Sequence, residues 1–305
     1  MKAKKRLSRL LFILLLAAFA VLSALYALRA GHERRARQRL WEDMLAVTFL
    51  DVGQGDACFI RSPNGKTMLI DCGPTDSSPT VLHELAYAGV GTVDVVLLSH
   101  PHEDHVGGFE AVLRAHGVGM LLFHAALADV YPFSVYAEEA AAIGTAVHGT
   151  RAGERFMFDD CVGVEVLYPE TADRDDGNES SLCVRLTYGK CTFLFPGDAE
   201  SMAEKTMLGS GVNLDADVLK VAHHGSSTSC SAAFVDAVSP DAAVISVGKD
   251  NNYGHPSGKT LSTFAARGIP VWRTDENGSV TFLSDGERIY LASSDGGDEL
   301  ALKAA

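Results

Sequence analysis

Three histidines and two carboxylates crowd into His100-Pro101-His102-Glu103-Asp104-His105, directly after the apolar run VDVVLL at 93–98. That run is short and rich in β-branched residues, the pattern of a strand buried on both faces. Gly107-Gly108 and the spacing of Phe109, Val112 and Leu113 then predict a turn into a helix. A polar cluster at the carboxyl end of such a strand restricts the chain to the α/β class, which keeps its sites there. His100 and His102 are two apart and share one side of an extended segment. Asp104 and His105 follow at the turn. Neutral imidazole and carboxylate suit zinc, manganese or iron, and so many donors in so short a stretch can serve two ions. The alternative, a solvated polar loop, has no need of three histidines in this register.

The same strand-end pattern recurs along the chain. Val47-Thr48-Phe49-Leu50 enters the glycine-rich turn Asp51-Val52-Gly53-Gln54-Gly55-Asp56 and returns through Cys58-Phe59-Ile60. Asn64-Gly65 supplies the positive φ of a hairpin turn, and strand 67–70 ends at Asp71-Cys72-Gly73. Asp56 and Asp71 have two readings at this point: hydrogen-bond partners of the metal-binding loop, or turn caps. Residues 79–88 read as a helix. His116, His124 and His148 have no partnered spacing and read as surface or loop residues. Strand 192–195 ends in Pro196-Gly197-Asp198 and precedes a helix at 199–208. Strand 217–222 ends in His223-His224-Gly225, and strand 243–247 leads to Asn252-Tyr253-Gly254-His255-Pro256. Helix 260–266 follows. Val271-Trp272-Arg273 is expected to open a final hairpin turning at Asn277-Gly278. Two halves therefore look alike. With helices on one face of each sheet and the sheets packed face to face, the pattern predicts an α/β fold, a four-layer αββα sandwich.

The amino terminus differs. Residues 1–9 form a basic flank with Lys2, Lys4, Lys5, Arg6 and Arg9, and 10–28 contain no charged residue. At 1.5 Å rise per residue that stretch can cross a bilayer. A cleaved signal peptide is the competing reading, with Ala18-Phe19-Ala20 a weak cleavage site. A retained transmembrane anchor fits the length better. The expectation is a single-pass cell-membrane protein with its catalytic domain extracytoplasmic, although basic residues flank the span on both sides. Residues 29–45 read as a juxtamembrane linker, 46–292 as the working domain, and 293–305 as a disordered tail. Beyond residue 45 there are 16 basic and 36 acidic residues, a formal charge of −20. Such a domain has no general electrostatic grip on nucleic acid; bound cations reverse the sign locally. Six cysteines occur without a C-x-x-C pair. They allow fifteen full pairings, and buried small hydrophobes are the default reading.

The segment His100-x-His102-x-Asp104-His105 resembles the metal-binding signature of the metallo-β-lactamase superfamily. The resemblance narrows with Asp51-Val-Gly-Gln-Gly-Asp56, Ile70-Asp71-Cys-Gly73, Asn178 with Ser180-Ser181-Leu182, Pro196-Gly-Asp198, Lys220-Val-Ala-His-His-Gly-Ser226 and Asn252-Tyr-Gly-His-Pro256, all in order. Together they resemble the C-terminal metallo-hydrolase domain of ComEC-type competence proteins, over about residues 46–290. Those proteins carry a many-helix DNA channel ahead of this domain, where a single span stands here. The resemblance therefore carries the hydrolase chemistry rather than a role in DNA uptake.

The resemblance implies two divalent ions, zinc or manganese. One is expected on His100 and His102, the other on Asp104, His105 and one of the pair His223 and His224, with a lean to His223. Asp198 would bridge both, as the matching aspartate does in the superfamily. Many members add a histidine where this chain has Asn178 and its serine neighbours, Ser181 among them, which softens the first site toward oxygen and manganese. A pair of ions about 3.5–4 Å apart lowers the pKa of a shared water to roughly 7 and clamps both oxygens of an in-line displacement. Asp104 is then essential to catalysis. His224, if not a ligand, and His255 are the candidate proton donors. Asp56, Asp71 and Asn252 are expected to support ligands or substrate. The expected activity is a membrane-anchored, metal-dependent phosphodiesterase, with single-stranded DNA among its candidate substrates. The alternatives are an ester, lactone or lactam hydrolase of the same fold, and a binding module without catalysis. The complete donor set argues against the last. No stable protein partner is inferable.

Overall fold

The computed structural model describes residues 12–26, 28–29, 43–173, 177–292 and 300–301. The chain divides into two units, 1–42 and 43–305. In the first unit, residues 12–26 and 28–29 are helical. Apolar side chains of this helix, Phe12, Leu16 and Phe19 among them, are exposed. Among the described residues no helix is long and apolar enough to cross a membrane. The expected span at 10–28 includes Leu10, Leu11 and Ala27, which lie outside the described residues. The basic flank at 1–9 and nearly all of the linker at 29–45 lie outside them as well.

The second unit holds two sheets. The first is built from β1 (Leu45–Phe49), β2 (Cys58–Arg61), β3 (Thr67–Ile70), β4 (Val93–Leu97), β5 (Val118–His124) and β6 (Ala146–Thr150), joined by β14 (Val280–Ser284), β15 (Ile289–Ala292) and β16 (Leu300–Ala301). Its strand order is β16-β15-β14-β1-β2-β3-β4-β5-β6. The second contains β7 (Arg155–Asp159), β8 (Val162–Tyr168), β9 (Cys183–Tyr188), β10 (Cys191–Phe195), β11 (Val218–Lys220), β12 (Ala242–Ile245) and β13 (Val271–Arg273), in the order β13-β12-β11-β10-β9-β8-β7. β3 to β6 run parallel, as do β10 to β13.

Alternation of side chains explains the layers. Val47, Phe49, Ile60 and Phe282 of the first sheet share one buried cluster with Val164, Val184, Leu186 and Phe193 of the second. The opposite face of the second sheet, with Leu194, Leu219 and Ile245, packs on Ala203, Met207, Phe234 and Phe264. Those four lie on helices α5 (Ser201–Ser210), α6 (Ala232–Val238) and α7 (Gly258–Ala265). The outer face of the first sheet is covered in the same way. Phe123 of β5 stacks on Phe133 at 5.1 Å between centroids, and Phe133 opens α4 (Phe133–Ala142). Helices α1 (Ser78–Tyr87) and α3 (Phe109–His116) bury Val81, Leu85, Val112 and Leu113. The short α2 (Glu103–Val106) holds half of the polar cluster. The two packed sheets with outer helices match the expected α/β sandwich.

One local expectation is corrected. Val271–Arg273 does not open a hairpin: it pairs parallel to β12, and the chain crosses through the short helix α8 (Thr274–Asn277) to β14 in the other sheet. Pairing Val280–Ser284 with β1 buries Val280 and Phe282 between the sheets. The hairpin is β14–β15. Of the tail at 293–305, residues 300 and 301 pair with β15 as an edge strand.

Candidate metal centre

The polar cluster collects where parallel strands of both sheets end. β3 delivers Asp71, β4 delivers His100, β10 delivers Asp198 and β11 delivers His223 and His224. The loop between β1 and β2 adds Asp56. Backbone bonds lock these ends together: Asp71 N donates to Leu97 O at 2.8 Å, Cys72 N to His105 O at 2.7 Å and Asp56 N to Asp104 O at 3.0 Å. Gly55, at φ +146°, lies so close to the Asp104 carbonyl that a Cβ there would overlap it. Only glycine lets the two loops meet.

His100, His105, Asp198 and His224 are buried. His105 Nε2 is 3.3 Å from Asp198 Oδ2, and His100 Nε2 is 3.9 Å from the same oxygen. His224 Nε2 is 3.2 Å from Asp104 Oδ2 and 3.5 Å from Asp198 Oδ2. His102 is exposed, with Nδ1 3.0 Å from His100 Nε2. Four sets of donor atoms thus converge: His100-His105-Asp198, Asp104-His105-His224, Asp56-Asp198-His224 and Asp56-Asp71-His105. Donors about 2.0–2.1 Å from one tetrahedral ion sit roughly 3.3 Å apart, close to several of these separations. His105 Nε2 and Asp198 Oδ1 are buried without a hydrogen-bond partner. Orphaned buried atoms are costly, and a divalent ion satisfies them. The residues fit a metal centre.

The ring nitrogens facing away are held by the protein, as metal-ligating histidines require. His105 Nδ1 is 2.8 Å from Asp71 Oδ2, and Asp71 also accepts from Ser99 N and Ser99 Oγ at 2.7 Å each. His224 Nδ1 is 3.0 Å from Ser246 O and 3.3 Å from Asp56 Oδ1. Asp56 and Asp71 therefore support the two imidazoles rather than capping turns.

Lys220, a residue without an expected role, is buried and ion-paired with Asp56. Burial alone would raise the Asp56 carboxyl, but Lys220, His224 and His105 hold it well below the usual carboxylate range. Asp198 is likewise held low, against its burial, by His105 and His224. Burial opposes the His224 cation, yet Asp198 and Asp56 push it up to about 9. His105 is raised against its burial by Asp198, Asp71 and Asp56. His100 is lowered, first by burial and then by His105.

The lean to His223 as ligand differs from the placement seen: His224, not His223, is among the converging donors. His223 and His224 both adopt left-handed backbone, φ 50° and 51°. A pair leaving a strand in extended conformation would alternate; this turn instead carries His224 inward and His223 to the rim. Left-handed non-glycine residues cost about 1–3 kcal/mol each and cluster at functional sites. Asp71, at φ 60°, is another. His223 is partly exposed, with Nδ1 2.9 Å from Glu200 Oε1 and Nε2 3.9 Å from Asp198 Oδ2.

Asn178 donates from Nδ2 to the same Glu200 oxygen at 3.4 Å, and its Oδ1 is buried without a hydrogen-bond partner. Ser181 Oγ accepts from Asp198 N at 3.1 Å, which fixes the backbone at Asp198. His255 is half-buried beside the His223 ring, 5.5 Å between centroids. Asn252 is exposed and is not among the converging donors; its neighbour Asn251 organises that loop, accepting from Tyr253 N and His255 N at 3.0 and 3.1 Å. His124 is also corrected: it is buried, with Nε2 3.2 Å from Pro169 O and Nδ1 accepting from Ala126 N at 3.1 Å. The cysteines are free, and Cys161 alone of the six is exposed.

Comparison with known proteins agrees with this geometry. The metallo-beta-lactamase superfamily model matches residues 50–249. The chain is 32% identical over 253 residues to ComE operon protein 3 of Bacillus subtilis (strain 168), covering 77% of this chain and 32% of that protein. It is 33% identical over 257 residues to competence protein ComA of Neisseria gonorrhoeae, covering 84% and 34%. The chain spans about a third of the length of these curated relatives. Among solved structures, CmlA, a diiron beta-hydroxylase from Streptomyces venezuelae, superposes with a TM-score of 0.54 at 17% identity, over 78% of this chain and 53% of that one. Zn(2+)-bound PqqB from Methylobacterium extorquens gives 0.51 at 14%, over 75% and 87%. These two share the fold. Sheet order, the strand-end donors and the match over 50–249 lead to one assignment: the chain belongs to the metallo-beta-lactamase superfamily.

Proposed function

We propose that this metal-dependent hydrolase is a phosphodiesterase. The observation that carries the reading is the convergence of the His100, His105 and His224 Nε2 atoms, at 3.9, 3.3 and 3.5 Å, on one Asp198 oxygen with Asp104 alongside, a donor set large enough for a pair of ions. His100, His102 and Asp198 would hold one ion; Asp104, His105, His224 and Asp198 would hold the other. When bound, the pair supplies Lewis acidity and an activated water, and offsets the charge of a phosphodiester in an otherwise acidic domain. Asn178 Oδ1, buried without a hydrogen-bond partner where many members have a histidine, would offer oxygen in place of nitrogen and favour manganese at least as much as zinc.

The chain's own residues supply positioning and protons. Asp71 and Ser246 fix the outward nitrogens of His105 and His224, so both Nε2 atoms face the reacting region. Glu200 Oε1 lies 2.9 Å from His223 Nδ1, and His223 Nε2 lies 3.9 Å from Asp198 Oδ2. His223 is then placed to pass a proton to a leaving alkoxide, a role worth about 10²–10⁴ in rate. His255, packed against His223 and lowered by burial and by that neighbour, is the second donor.

The relatives named for competence support a nucleic-acid substrate. The apolar stretch 10–28 supports a membrane tether with the hydrolase outside the cell, which external protease on intact cells would test by removing the domain. The reaction is tested on purified, metal-loaded protein with bis-p-nitrophenyl phosphate, single-stranded DNA, and ester and lactam substrates. Cleavage of phosphodiesters is expected. Turnover of an ester or lactam, with every phosphodiester untouched, would replace this reading by its same-fold alternative.

A further inference from the structure

We propose that Tyr253 is a stacking platform for an unpaired nucleobase beside the scissile phosphodiester. The proposal rests on the phosphodiesterase reading and adds the part of the substrate that is recognised. Tyr253 is 72% exposed, on the loop that also carries His255. Its inner neighbour is the His255 ring, nearly parallel at 25° with centroids 5.8 Å apart. His255 in turn lies 5.5 Å from His223 and 6.5 Å from His224. A file of rings thus runs from the metal centre to solvent and ends on a tyrosine.

The tyrosine's perch is built rather than loose. Asn251 Nδ2 donates to Gly248 O at 3.0 Å and to His255 O at 2.6 Å, while Asn251 Oδ1 accepts from Tyr253 N and His255 N. Gly248 N donates to Gln54 Oε1 at 3.2 Å and ties the loop to the turn that leads to Asp56. The ring is therefore held near the centre before substrate arrives, which lowers the ordering cost of binding.

Charge decides what such a ring is for. With 16 basic and 36 acidic residues beyond residue 45, the domain has few cations to track a phosphate backbone, the usual source of affinity for a strand. Stacking on an aromatic face is an uncharged grip, and every base offers a π-face to it. The cations would hold the phosphodiester and the tyrosine the base next to it. Paired bases are stacked on one another, so an unpaired base is the one that fits.

The test uses the 305-residue chain, a labelled thymidine decamer and an abasic decamer of the same backbone. Binding is read by fluorescence anisotropy with calcium in place of manganese, which keeps the cation charge while slowing turnover. The wild type should prefer the thymidine strand. Tyr253→Ala should weaken that binding roughly 10- to 100-fold, Tyr253→Phe and Tyr253→Trp should retain it, and none should alter the abasic strand. In the manganese-loaded protein Tyr253→Ala should raise KM for the thymidine strand more than it lowers kcat. Equal binding of both strands by the wild type, or an equal loss of both in Tyr253→Ala, overturns the platform. Base-dependent binding without cleavage of any phosphodiester would sink the phosphodiesterase reading while the platform stands.

Discussion

The Lys220 ammonium is buried against the Asp56 carboxylate, and Asp56 in turn touches the His224 ring from behind the metal centre. One charge pair thereby neutralises the back of the site and orients a ligand. Such pairs add little against apolar replacements, but removing one partner strands the other, at a cost of about 3–5 kcal/mol.

Lys220→Met should therefore destabilise the protein by about that amount in urea denaturation, with Asp56 left as a buried, unpaired carboxylate. Lys220→Met combined with Asp56→Asn should recover part of the loss, because no bare charge is left. An additive double variant would show that the two side chains do not act as a pair.

Much of this centre was legible from strand ends. His100, Asp104, His105 and Asp198 stand out because polar residues interrupt buried runs where parallel strands stop; His102, read from the same motif, is exposed and outside the converging donor sets. Lys220 was not legible: a lysine inside the strand-like run Asp217–Ala222 gives no sign of its buried partner 164 positions earlier. The choice between His223 and His224 was hidden for a different reason. It depends on two consecutive left-handed residues, and sequence favours such conformations visibly only at glycine or asparagine. Trp272 and Phe282 misled in a third way. Adjacent strands in sequence suggest a hairpin, and only the tertiary core shows that they belong to different sheets.

His124 separates structural from chemical histidines. Its two ring nitrogens bridge Pro169 O and Ala126 N inside the protein. His124→Ala should cost about 1–3 kcal/mol of stability, the penalty of leaving buried partners unsatisfied. Bound metal per folded chain should stay at the wild-type value, measured by elemental analysis after removal of unfolded material. A fall in metal content of the folded fraction would contradict its place outside the centre.

His223 and His224 are adjacent in sequence and differ in task. His224→Ala removes a donor from the Asp104-His105 set and should lower bound metal below two per chain, as should Asp198→Asn. His223→Ala should keep the metal and lose activity by about 10²–10⁴, the scale of a lost proton donor. Glu200→Gln should lose part of the same activity, since it removes the charge 2.9 Å from His223 Nδ1. Elemental analysis beside kinetics on the same preparations checks both. If His223→Ala loses the metal and His224→Ala keeps it, the two assignments exchange.

The charge pattern also sets how the metal-free protein responds to pH. His224 is pushed up to about 9 by Asp198 and Asp56 against its burial, from an ordinary value of 6.5, and His105 is raised in the same direction. A raised folded pKa gives stability that is fully present below pH 6.5 and is lost as pH climbs through about 9. Asp56 and Asp198 are depressed, so their contribution is present above their ordinary 3.8 and is lost as pH falls through the folded values. In EDTA the melting temperature should therefore fall between pH 6.5 and 9.5, and fall again in strong acid. An ion held by His224 would displace the proton there, so metal-loaded protein should lose much less over the alkaline window. His224→Asn, with no ring to titrate, should flatten the alkaline slope of the metal-free protein. A slope unchanged in that variant would place the titration on another group.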